Sequence, residues 1–286
     1  MYKNILKTIV LLSSLQAIAQ ENPNDVSENY FTVNDTVKKL KEVVVTAKNN
    51  PSKSSVNRAG IKEKDLPQAV QVIGTEVIQQ QQSVRLSDVV KNANGVYVGS
   101  ARGGAQESFW SRGYDMSANN MFKNGFRFNS GSIPEVSSLE KVEILKGSAA
   151  LLYGNVAPGG IMNMVTKTPN FKTGGEFTMQ AGSYNFYKPS ADVYGAFNNS
   201  IAYRFNGSYE NSESFRDYVT KERYYVNPSL LFKVSDKTEI TLQADYLSDD
   251  WTPDFGTGSI GKEIADVPRN AYLGAKWSNG NTKQAT

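Results

Sequence analysis

LEKVEILKGSAALLYGNVAPGGIMNMVTKTP, residues 139–169, is the stretch on which the reading of the rest of the chain depends. Lys141–Leu145 alternates apolar and charged residues as a half-buried strand does, and Ile161–Lys167 reads as a second strand. Between them Ser148–Leu152 suits one helical turn, and Pro158-Gly159-Gly160 is turn chemistry, with proline fixing one φ and glycine free to take a positive one. Residues before this unit read as export and coupling, and residues after it read as a series of strands.

The chain has 286 residues, 39% of them hydrophobic, and lysine plus arginine exceed aspartate plus glutamate by only 31 to 28. That balance, with the basic residues scattered, gives no footprint for nucleic acid. No apolar run after residue 20 approaches the ~20 residues that a spanning helix needs, which leaves spanning by strands open. There is no cysteine and no histidine, so disulfides, thiolate metal sites and imidazole acid–base chemistry are excluded from this chain. No nucleophile–base pair or paired carboxylates stand out, so an enzyme is not expected, and neither is a cofactor or a metal.

Upstream, lysines 3 and 7, an apolar run from Ile9 to Leu15 and the small-x-small Ala17-Ile18-Ala19 form a secretory signal peptide over 1–19. Residues 20–59 read as a flexible leader, polar and weakly periodic. Within it Glu42-Val43-Val44-Val45-Thr46-Ala47 is a β-branched run suited to adding itself to another protein's sheet edge, where backbone hydrogen bonds supply the affinity. An edge strand of the next domain is the alternative reading of the same six residues.

Residues 60–170 alternate short strands and short helices, the pattern of a small α+β domain. A strand runs from Asp65 through Ile73, Thr75 caps a helix reaching Gln82, Ser87 and Asp88 open a second helix through Ala93, and Asn94-Gly95 stops it. From residue 171 onward the period is two. Ile201, Tyr203, Phe205 and Tyr209 fall on one face and Ala202, Arg204, Asn206, Ser208 and Glu210 on the other. Similar strands are expected over Glu176–Gly182, Ser190–Asn198, Tyr224–Val234 and Ile240–Tyr246, with Pro228 counting against its ladder. Connections are expected to alternate: long at 182–190, 211–222 and 248–270, tight at 198–200 and 235–238. Outer-membrane barrels have short turns at one end and long loops at the other.

The ordered fragments LPQAVQVI (66–73), SDVVKNANGVYV (87–98), SRGY (111–114), NGFR (124–127) and the 139–169 stretch together resemble the plug domain of TonB-dependent outer-membrane receptors. Asn94 stands where that family usually has proline, Lys146 where it has arginine and Ser148 where it has proline. The resemblance implies an α+β plug followed by the first five or six antiparallel strands of a 22-stranded transmembrane β-barrel, which the residues after Asn170 cannot close at ~10 residues per span. On that footing the sequence is expected to be the N-terminal piece of a longer protein, with the barrel starting at 171–286.

The LLYGNVAPGG wording is similar to that of ferric-siderophore receptors of the ferrichrome-like kind, and the glycan importers' D-A-S…YG-x-R-G-A-N-G form is absent. The resemblance implies uptake of a ferric siderophore energised by TonB, with 42–47 as the TonB box in the periplasm and outer-membrane lipid around the strands. It implies ligand contacts from the plug loops around Arg102, Gly103, Asn129 and Gly131, and ion pairs from Arg112, Glu140, Glu143 and Lys146 to the barrel wall. Cobalamin, haem or a glycan is the alternative cargo, and a secreted β-rich adhesin the alternative class.

Overall fold

The computed structural model describes Ser55 and residues 68–286 except 100–102, 118, 129–130 and 148–152. The signal peptide, the 42–47 run, Arg102, Asn129 and the helical turn expected over 148–152 therefore lie outside the described residues.

The first part contains β1 (Ala69–Gly74), α1 (Thr75–Gln80), α2 (Leu86–Val90), β2 (Val96–Val98), β3 (Phe109–Ser111), β4 (Tyr114–Asp115), β5 (Met121–Lys123), β6 (Phe126–Arg127), β7 (Leu139–Lys146) and β8 (Ile161–Thr166). Five strands form one sheet in the order β1-β7-β8-β5-β6, and β2-β3-β4 form a small second one. β7 is an interior strand, and apart from Glu140 and Lys146 its residues are buried on both faces. Val142 and Ile144 pack with Met162 and Met164 of β8 against Leu86, Val89 and Val90 of α2, and Leu145 packs with Phe122, Tyr153 and Ile161 on the opposite face. Each such fully buried side chain contributes about 1.5–3 kcal/mol relative to exposure.

Both helices are shorter than the sequence suggests. α1 stops at Gln80, and Thr75 is its first residue rather than its cap, a position taken by Gly74. α2 begins at Leu86, where Asp88 accepts the backbone N–H groups of Val84 and Arg85 at 3.2 and 3.0 Å. The second glycine of the Pro-Gly-Gly turn is obligatory: Gly160 has φ +116°, and a Cβ there would stand 2.3 Å from the Leu145 carbonyl oxygen.

The second part holds β9 (Gly174–Gly182), β10 (Phe186–Asn198), β11 (Ile201–Glu213), β12 (Thr220–Ser235), β13 (Thr238–Gln243), β14 (Tyr246–Trp251), the hairpin β15 (Ser259–Ile260) and β16 (Glu263–Ile264), and β17 (Gly280–Ala285). Apart from that hairpin they form one antiparallel sheet ordered β17-β14-β12-β11-β10-β9, in which β13 pairs with the far half of β12. β13 and β14 are one span interrupted at Ala244–Asp245. Pro228 sits opposite that interruption, its carbonyl accepting the Ala244 N–H, so its missing donor falls where the ladder is already broken.

The expected long connection at 182–190 is instead a three-residue turn, 183–185, because β10 starts at Phe186. Tyr184 and Asn185 take positive φ values of 60° and 50°, which reverses the chain at once. The connection after β11 is six residues, 214–219, and 252–279 is the one long loop of this sheet. Alternation survives as two tight turns, 199–200 and 236–237, at the opposite end.

Burial on this sheet is inverted relative to a water-soluble one. Lys188, Asp192, Asn206, Glu210, Arg223 and Asn227 are buried against the first part, while Phe177, Val193, Phe205, Tyr224 and Val226 are exposed on the outer face. Outward apolar and inward polar residues are what a lipid-facing barrel strand requires. Tyr187, Tyr209 and Tyr224 make a ladder across β10, β11 and β12 with ring centroids 5.8 and 4.7 Å apart, and Phe197 lies 4.8 Å from Tyr203 toward the other end. At ~3.3 Å per residue and ~40° tilt the two rows stand roughly 15–25 Å apart, close to the ~25 Å apolar band between aromatic girdles. No helix among the described residues is long and apolar enough to cross a membrane.

Candidate functional site

The plug meets the wall through charge. Glu135, on the segment entering β7, lies 2.7 Å from Lys188 of β10 and 3.2 Å from Arg223 of β12. Arg85, which precedes α2, forks onto Glu210 of β11, with Nη1 donating to Oε2 at 2.7 Å and Nη2 to Oε1. Arg223 continues to Asp249 of β14 at 3.0 Å and donates to the Ile133 carbonyl, and Lys221 joins Asp249 at 3.1 Å. Cations and carboxylates thus alternate across four wall strands. Burial by itself would raise the Glu135 carboxyl, but Lys188 and Arg223 hold it well below the usual carboxylate range. Burial is the largest influence on the Arg85 charge and opposes it, but the hydrogen bond to Glu210 and the attraction of Glu210, Glu135 and Glu107 together outweigh it, so the guanidinium is raised above its ordinary value. Glu107, buried near Arg85, is pushed up by burial, and its Oε2 has no hydrogen-bond partner.

Two further contacts secure the opposite end. Lys167 meets Asp192 at 2.9 Å, and Arg204 grips the same carboxylate through Nε at 2.8 Å and Nη2 at 2.7 Å while donating to the Thr168 carbonyl at 3.0 Å. Lys123 pairs with Asp245 at 2.7 Å, and Asn124 and Thr166 both donate to Gln243 at 2.9 Å.

Among the described residues Arg112, Glu140, Glu143 and Lys146 make no ion pair to a wall strand. Arg112 occupies the first turn position between β3 and β4 with φ +52°, followed by Gly113 at +81°, the mirror-image turn that suits a two-residue hairpin. Glu140 is exposed, and Lys146 donates to Gln71 at 3.4 Å. Glu143 is fully buried inside the plug with Lys141 at 2.9 Å, Asn163 at 3.0 Å and Ser55 at 2.6 Å from each carboxylate oxygen. The reason is topological: β7 is flanked by β1 and β8, so its side chains meet the plug's own interior. Among the described residues the plug side of the seal is supplied instead by Arg85, Lys123, Glu135 and Lys167. On the wall, strand alternation already sets Arg204 and Glu210 on the face turned from the aromatics. Nothing comparable marks Arg85 or Glu135, which lie in short non-periodic segments.

The apex is a second junction. The Gly103 carbonyl accepts the Asp254 N–H at 3.3 Å, and Phe255 lies so close that a Cβ on Gly103, whose φ is +57°, would stand 2.9 Å from the ring. Trp251 stands beside Gly104. Arg216 of the 214–219 connection pins the long loop, bonding Asp254 at 3.1 Å, the Ala271 carbonyl at 2.8 Å and Thr257 at 3.1 Å. Gly131 lies exposed in a bend between β6 and β7. No group of three or more metal-ligating side chains occurs among the described residues.

Residues 62–161 match the family model for the TonB-dependent Receptor Plug Domain. The chain is 31% identical over 249 residues to the metal-pseudopaline receptor CntO of Pseudomonas aeruginosa, which covers 82% of this chain and 34% of that protein. It is 31% identical over 261 residues to the ferrioxamine B receptor of Salmonella typhimurium, 87% of this chain and 35% of that one. The open form of the ferric-catecholate import receptor Fiu from Escherichia coli K12 superposes with a TM-score of 0.63 at 30% identity, over 69% of this chain and 29% of that one. The chain thus spans about a third of the length of the curated relatives it matches. A matched plug, a wall that is polar inside and apolar outside, and similarity to receptors for metal-pseudopaline, ferrioxamine B and ferric catecholate lead to one assignment: the chain belongs to the TonB-dependent outer-membrane receptor family.

Proposed function

We propose that this chain is the plug and first wall strands of a receptor that imports a ferric siderophore across the outer membrane, energised by TonB engaging Glu42, Val43, Val44, Val45, Thr46 and Ala47 from the periplasm. The observation that carries the reading is the apical junction, where Gly103 of the plug and Asp254 and Phe255 of the longest wall loop form one surface. A ligand bound from outside at that surface touches both parts at once, so its arrival can be felt by the plug. Ligand contacts from Arg102, Asn129 and Gly131 remain part of the proposal. The relatives' names, receptors for metal-pseudopaline and ferrioxamine B, support a metal-chelate cargo. The first name favours a second reading, in which the chelated metal need not be iron.

No chemistry on the cargo is required. Binding outside, displacement of the plug by a pull on 42–47 and inward passage complete the cycle, and resealing is favoured by the complementary charges on plug and wall. The test uses the intact receptor as the sole uptake route in iron-starved cells, supplied with radioiron-loaded ferrioxamine B. Uptake is expected, and deletion of 42–47 is expected to abolish it while leaving surface binding. Uptake unchanged by the deletion would overturn the TonB assignment. Absence of binding, with binding of another metal chelate, would overturn the cargo class as far as hydroxamates are concerned.

A further inference from the structure

Ser55 is held to the plug by both of its donors. Its backbone N–H donates to Glu143 Oε1 at 2.6 Å and its hydroxyl to Oε2 at 2.6 Å. Asn163 donates to the same Oε2 at 3.0 Å and to the Ser55 hydroxyl oxygen at 3.3 Å, and Lys141 lies 2.9 Å from Oε1. Each carboxylate oxygen therefore has one partner from the plug sheet and one from Ser55. Glu143 is fully buried, and a buried carboxylate is tolerated only with its partners complete. Hydrogen bonds that tie a distant segment to such a charge are stronger than neutral ones.

The place of attachment matters as much as its strength. Glu143 pairs with Val72 of β1 on one side and with Asn163 of β8 on the other, so it lies on an interior strand of the sheet. Downstream of Ser55 the first described strand is β1, an edge strand of the sheet that starts at Ala69. A pull applied upstream of Ser55 would peel β1 from that edge one ladder bond after another if nothing intervened. With Ser55 fastened, the load goes first to β7, which is held by ladders on both sides.

We propose that Ser55 is a latch that carries force from the leader to Glu143 on the interior strand β7 of the plug sheet and shields β1 from peeling until it lets go. The role as a force path rests on the reading of 42–47 as the point of pull; the latch itself does not. Ser55 is a positioning residue, acting through Glu143.

The 286 residues contain no cysteine, and any cysteine elsewhere in the intact receptor is replaced by serine for the test. In the intact receptor in outer-membrane vesicles, a single reporter Lys53→Cys is labelled with a maleimide, and the rate is compared in the background of Ser55, Ser55→Thr, Ser55→Ala, Ser55→Pro and Glu143→Gln. Ser55→Thr keeps both donors and is expected to label as slowly as the parent. Ser55→Ala is expected to label about tenfold faster, the factor that corresponds to the loss of one charge-assisted bond, and Ser55→Pro, which lacks both donors, faster still. A second reporter, Val142→Cys in the core, is expected to stay unlabelled with Ser55→Pro, which shows that the plug remains folded. Equal rates at position 53 in all backgrounds overturn the latch, and so does labelling of position 142, which would make Ser55 a fold-holding residue instead. Because no pull is applied, failure here is separate from failure of the 42–47 deletion.

Discussion

Lys188 and Arg223, from strands on either side of β11, converge on Glu135, and the three charges are buried together. Removing one member of such a group leaves the others uncompensated, which costs about 3–5 kcal/mol. Glu135→Gln is therefore expected to destabilise the seating of the plug by that amount in urea titrations of the intact receptor. The Glu135→Ala/Arg223→Ala pair is expected to cost clearly less than the sum of the single changes, because the two residues share partners. This is the least legible scale in the sequence. Arg85 and Glu143 are both charges in short apolar segments, yet one forks onto a wall strand and the other is enclosed by Ser55, Lys141 and Asn163. Spacing along the chain cannot distinguish them, because the difference lies in which strand flanks which. Arg112 is hard to place for a different reason: a guanidinium suggests a partner, whereas its backbone, at positive φ before Gly113, serves a turn.

The strands of the wall are legible in their centres and not at their ends. Phe205 between Tyr203 and Tyr209 declares the outward face by alternation, and the structure exposes it. Beyond the aromatics the strands continue through Lys188, Lys221 and Glu213, polar residues that read as loop because in water they would be. Inside a barrel they face the plug or rise above the lipid. The outward face also yields the sharpest contrast by mutation. Phe205→Arg, between the two aromatic rows, is expected to cost about 2–4 kcal/mol in lipid vesicles, and Glu213→Arg, at the strand end, about 0–1 kcal/mol. Equal costs would place the bilayer elsewhere. On the plug, β1, β7 and β8 agree with the sequence within a few residues because their apolar alternation is intact. The helices start where Gly74 and the carboxylate of Asp88 set them, and they stop short at their C-terminal ends, at Gln80, with Gln82 already at φ +50°, and at Val90.

At the scale of the whole molecule, the plug and the wall behave as two polar surfaces held by complementary charge, which makes their union sensitive to pH in a defined sense. Glu135 has a depressed folded pKa, so its contribution is complete above the unfolded value of about 4.3 and is lost as pH falls through the lower folded value. Glu107 runs the other way. Its pKa is raised in the folded state, so the folded form binds the extra proton and stability declines as pH rises from about 4.3 through the folded pKa. Glu107→Gln is expected to flatten that decline, with stability at neutral pH gaining relative to stability near pH 4; an unchanged slope would show that Glu107 is not the titrating group. The family-level architecture is legible at this scale because several weak fragments recur in a fixed order over the plug, and order is hard to produce by chance.

The tyrosine ladder of β10, β11 and β12 has a consequence of its own. Its hydroxyls form a waterline: Tyr209 and Tyr224 both donate to Glu222, at 2.9 and 2.7 Å, on the outer surface of the wall. Rings that rest in lipid while their oxygens are tied to a carboxylate resist both sinking and rising. The wall therefore floats at one draught, and the apical loops stand at a constant freeboard above the membrane.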